Sequence, residues 1–158
     1  MDALNESLVR AIADCQKQVH DVVGFALIVD ADMSSVFGVS VDRRFIDESG
    51  CAELIYTPVD WPTEHHTEGF RQASERLSQW TKEHRESDYE RRVCEVAEVF
   101  AEALHRARTL VPSLERTLLL VVCADGGGPW QSAEEESVRR LNGATVYEAW
   151  RDTLSRPV

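Results

Sequence analysis

Residues 117 to 130, Thr-Leu-Leu-Leu-Val-Val-Cys-Ala-Asp-Gly-Gly-Gly-Pro-Trp, constrain the fold more than any other stretch of the chain. Leu118 to Cys123 is an unbroken apolar run. It is too short for a stable helix and is closed by Asp125 and three glycines, so it reads as a strand buried on both faces. A strand of that kind needs a layer above it and another below. The remainder of the sequence can supply both, from a second apolar strand, an alternating strand and several amphipathic helices.

Phe25-Ala26-Leu27-Ile28-Val29 is that second apolar strand, stopped by Asp30-Ala31-Asp32. From Val36 to Val41, Phe37, Val39 and Val41 alternate with Gly38 and Ser40, the pattern of a strand covered on one side. The short connection predicts an antiparallel hairpin. Ala52 to Thr57 is a third strand candidate, and Pro58 and Pro62 bracket a loop anchored by Trp61.

Helical stripes fill much of the rest. Leu4, Leu8, Ile12, Cys15, Val19 and Val22 predict a helix over residues 3 to 22, ended by Gly24. Thr63 caps a helix carrying Phe70, Ala73, Leu77 and Trp80, with His65-His66 in its solvated first turn. Ser87 with Glu90 opens another helix, whose inward face is Val93, Ala97, Phe100, Leu104 and Ala107 and which Pro112 stops. Ser132 with Glu135 and Thr145 with Glu148 predict two more starts, the last helix sending Tyr147, Trp150 and Leu154 to the core. No repeat, linker or low-complexity tract interrupts the 158 residues, so residues 1–158 form one expected α+β domain. Its expected core is a small, mainly antiparallel sheet packed against several helices.

Composition narrows the function classes. A formal net charge of −11 repels phosphate backbones and anionic headgroups, which argues against nucleic acid and membrane surfaces as partners. Cys15, Cys51, Cys94 and Cys123 form no Cys-x-x-Cys pair and read as buried free thiols of a cytoplasmic protein. Neither a secretory signal nor an apolar run of bilayer-spanning length is visible.

Chemistry-bearing patterns are sparse. His65 and His66 are adjacent, which turns them apart on a helix and makes a shared metal implausible. Asp30-x-Asp32 could face a cation, but turn hydrogen bonding explains both residues more cheaply. Asp125-Gly126-Gly127-Gly128 stands where a phosphate cradle would, without the lysine that such a cradle uses. No catalytic residue, metal site or cofactor is expected. A metal-dependent hydrolase or transferase using Asp30, Asp32 and His65 or His66 ranks third among the function classes, behind two kinds of binding protein.

Charge distribution points to a partner. Residues 1 to 62 hold eleven acids against four bases, most of the excess of the whole chain. Asp30, Asp32, Asp42, Asp47, Glu48, Glu53 and Asp60 belong to strand ends and connections there, which a hairpin rim could gather on one edge. Such an edge suits a basic protein, with Trp61 and Trp130 as exposed aromatic anchors.

Four stretches resemble a family of small bacterial domains encoded beside toxins of polymorphic and type VI secretion systems. They are Phe25 to Asp30, Tyr56 to Trp61, Leu118 to Asp125 and Ser137 to Asn142. The resemblance implies an immunity protein, a cytoplasmic antidote that binds one cognate toxin and blocks it. A regulatory or scaffold binding module without a toxin partner is the alternative.

Overall fold

The computed structural model describes residues 1–16 and 21–154. Helix α1 (Asp2–Gln16) leads into β1 (Val22–Val29), which pairs antiparallel with β2 (Val36–Asp42). A short helix α2 (Arg43–Ser49) and two 3-10 turns, Ala52–Tyr56 and Pro58–Asp60, precede β3 (Thr63–His65). Helices α3 (Glu68–Glu83) and α4 (Tyr89–Leu110) come next, followed by β4 (Leu118–Cys123), α5 (Pro129–Asn142) and α6 (Ala144–Leu154). The sheet runs β3-β2-β1-β4, with β1 and β4 parallel and the other two ladders antiparallel. The architecture is α+β.

Period-two alternation distributes the apolar side chains between two cores. Phe25, Leu27 and Val29 of β1 join Leu119, Val121 and Cys123 of β4 in the larger core, under α1, α3 and α4. Ala26, Ile28, Leu118 and Leu120 turn to the opposite face, where Val39, Val41, Trp61, Val138 and Trp150 meet them. The expected stripes of α3 and α4 do face inward: Phe70, Ala73 and Leu77, then Val93, Ala97, Phe100, Leu104 and Ala107, are buried.

Several local expectations give way to tertiary structure. The stretch from Leu118 to Cys123 lies at the edge of the sheet, and β1 occupies the interior place between β2 and β4. Strand β2 is covered on both faces, since Gly38 and Ser40 are as buried as Val39. Ala52 to Tyr56 winds into a 3-10 turn instead of a third strand. Val22 is the first residue of β1, so the first helix ends before it; Val19 and the side chain of Leu154 lie outside the described residues. Thr63 is in β3, and Thr67 takes the N-cap place of α3. Asp88 caps α4 by accepting from the Glu90 amide, and Pro129, not Ser132, opens α5. Of the four cysteines only Cys15 and Cys123 are buried, because Cys51 sits on a surface turn and Cys94 falls outside the inward stripe of α4.

Exposed strand edges invite pairing with other chains, and helix side chains seal β4 and the part of β2 that β3 leaves open. On β4, Asn142 of α5 accepts from the Leu119 amide (2.8 Å) and donates to the Leu119 carbonyl (2.6 Å). Further along, the Cys123 amide donates to Glu134 Oε1 at 2.6 Å. On β2, beyond the reach of three-residue β3, Ser74 of α3 accepts from the Val36 amide and donates to the Val36 carbonyl, both at 3.0 Å. Ser74→Ala should therefore lower stability by about 1 kcal/mol, the net contribution of a hydrogen-bonded pair that water partly replaces. Urea unfolding would measure it, and an unchanged midpoint would mean the edge needs no seal there.

Candidate functional site

The seven carboxylates divide between the two ends of the hairpin instead of lining one rim. Asp30 and Asp32 lie in the β1–β2 turn, whereas Asp42 pairs across from Val22 at the far end. At about 3.3 Å per residue, the eight-residue strand between them sets the groups about 20 Å apart. Asp30 is also committed to its own turn. It accepts from the Ser34 amide (2.6 Å), the Ser34 hydroxyl and the Ser35 hydroxyl (3.0 Å). Partial burial works against its charge, but these hydrogen bonds outweigh that and hold its pKa below the ordinary value.

The five other acids share one surface segment, residues 42 to 60. Asp42 caps α2 by accepting from the Phe45 amide at 2.8 Å, which orients the helix that displays Asp47 and Glu48. Glu48 pairs with Arg44 along the exposed side. Glu53 stands on the first 3-10 turn and Asp60 on the second. Asp47, Glu48, Glu53 and Asp60 are exposed, and beside Asp60 the side chain of Val59 is 68% exposed. With Arg43 and Arg44 as its bases, the segment carries five acids against two.

Trp61 fixes this segment to the sheet from inside, so it is no exposed anchor. It is 5% exposed, and its Nε1 donates to the Leu54 carbonyl at 2.8 Å. The indole lies so close to Gly24 that a Cβ there would sit 2.6 Å from Trp61 Cη2, which explains a glycine inside β1. Trp130 is likewise a core residue at 2% exposure, in the larger cluster. Burial is where aromatic area stabilises most, so both tryptophans serve folding in the free protein.

The histidines are also placed differently. His65 is in β3 and is 6% exposed, hydrogen-bonded to the Ser40 hydroxyl at 2.9 Å and stacked 5.8 Å from Phe25. Burial, with a smaller contribution from His66, lowers its pKa. His66 points outward to Glu64 at 2.9 Å and packs on Phe37. Among the described residues no three His, Cys, Asp or Glu side chains converge to hold a metal ion. After β4, Gly126, Gly127 and Gly128 adopt positive φ, and Gly128 leads into Pro129 at the start of α5.

One cluster has no local sequence signature. Arg43 of α2, Arg108 of α4 and Arg116 before β4 line a single pocket of about 320 Å³ with Tyr56 and Asn142. Their separation in the chain hides the convergence, which depends on α4 ending beside the first residues of β1 and β4.

No family model matches the chain, and no curated protein and no solved structure matches it. Among the described residues no helix is long and apolar enough to cross a membrane.

Proposed function

We propose that this protein is a cytoplasmic immunity protein that neutralises one cognate bacterial toxin by stoichiometric binding, with residues 42 to 60 as the docking surface. The observation that carries the reading is the segment's construction. Neither α2 nor the first 3-10 turn buries a residue fully, yet Trp61 pins the whole stretch to the sheet. Four exposed carboxylates and the Val59 side chain are thereby held on a supported surface. A prearranged excess of negative charge accelerates encounter with a basic partner, and an apolar residue among the charges gives the docked partner a dry contact. The resemblance of residues 25–30, 56–61, 118–125 and 137–142 to immunity domains supports the same reading.

Purification of the tagged chain together with the product of the adjacent gene, at low salt, tests it. The expected outcome is a one-to-one complex that weakens as salt rises and protection of cells from that gene product's toxicity. A neighbour that neither binds at low salt nor is neutralised in cells would contradict the proposal.

A further inference from the structure

Six arginines, Arg10, Arg44, Arg71, Arg91, Arg139 and Arg140, each meet a glutamate. Arg43, Arg108 and Arg116 do not. Among the described residues none of these three forms an ion pair, and all three line the pocket where β1 and β4 begin. Arg108 is held in place by neutral acceptors, the Leu141 carbonyl, the Thr117 carbonyl at 2.9 Å and Asn142 Oδ1 at 3.4 Å. These orient the guanidinium without neutralising its charge, and its buried Nε has no hydrogen-bond partner. Burial accordingly lowers the Arg108 pKa. Glu115 is the one acid on the lining, leaving an excess of two positive charges. Tyr56, Ile55 and Val146 supply an apolar wall.

We propose that this pocket binds a small molecule bearing an oxyanion, a carboxylate or phosphate monoester on an apolar body, with Arg43 and Arg116 gripping the anion and Arg108 adding its un-neutralised charge. Planar guanidiniums suit oxyanions because each can donate two parallel hydrogen bonds. The cavity, about 320 Å³, falls within the range of small-ligand sites and leaves room for a body against Tyr56. The site does not depend on the toxin-binding reading, although Arg43, Ile55 and Tyr56 belong to the segment assigned to docking.

Calorimetric titration of the full chain, without any protein partner, tests the proposal with sodium phosphate, phenyl phosphate and benzoate as probes, against sodium chloride at equal ionic strength. One molecule of phenyl phosphate or benzoate should bind per chain, phenyl phosphate more tightly than inorganic phosphate. Arg43→Gln with Arg116→Gln, both at exposed positions, should weaken binding by at least about tenfold through loss of charge-assisted hydrogen bonds, with the melting temperature of the free protein little changed. Binding no stronger than that of chloride for every probe would overturn the proposal, as would binding that the double variant leaves intact.

Discussion

Trp61→Ala is expected to destabilise the protein by about 3 to 5 kcal/mol, the range for truncating a buried tryptophan. The indole is packed against Gly24 and Val41, whose Cγ1 also crowds the Gly24 position, and its Nε1 satisfies the Leu54 carbonyl. Alanine would leave a cavity in the smaller core and take one donor from the Leu54 carbonyl, which the Thr57 amide and hydroxyl still meet. The larger core, under α1, α3 and α4, contains no atom of Trp61. Damage should therefore concentrate in residues 42 to 60, with faster amide exchange there than in α4. Urea unfolding measures the stability change and hydrogen exchange its location. A loss under about 1 kcal/mol would show that the segment is held by something other than this side chain.

Glu134→Gln is expected to act in the opposite direction, stabilising the protein by about 3 kcal/mol at pH 8 and hardly at all at pH 4. Burial beside β4 pushes the Glu134 carboxyl from its ordinary 4.5 up to about 7, and the Cys123 amide only partly offsets this. An acid whose pKa is higher folded than unfolded binds more protons in the folded state between the two values. Its ionisation thus erodes stability as pH rises from about 4.5 to about 7 and the full cost remains above that. Glutamine keeps an oxygen to accept from Cys123 and cannot ionise, which removes the slope. Denaturation curves of both proteins at pH 4, 6 and 8 would show it. Equal stability at pH 8 would mean that the carboxylate is well solvated despite its position.

The hairpin and the helical stripes were legible because each is a local pattern with a local cause. Phe37, Val39 and Val41 mark one face of β2 whatever lies over it, and Val93 to Ala107 mark one face of α4. What covers a face is decided elsewhere in the chain, so Gly38 and Ser40 gave no sign of lying beneath Phe70 and His65. Ala52 to Thr57 has the residue types of a strand but no free partner strand, and the Trp61 indole draws Leu54 into a turn. The edge position of β4 was equally hidden. Its apolar residues look interior because α5 closes its outer side with Asn142 and Glu134, two polar residues whose role exists only in the fold. The acidic excess was visible in composition, but the length of β1 splits it, and the larger group, at the α2 end, lies on the segment that Trp61 fastens to the sheet. The three arginines of the pocket come from residues 43, 108 and 116, and no spacing rule could have joined them.

The most direct test of the proposed docking surface compares two charge-reversed variants in association kinetics with the protein that co-purifies. Asp47→Lys, Glu53→Lys and Asp60→Lys together should slow association by at least about tenfold and flatten its dependence on salt, because the steering field is removed. Asp32→Lys, at the other end of the hairpin, should stay within about twofold of the unmodified protein. If both variants slow association alike, or neither does, residues 42 to 60 are not where the partner docks.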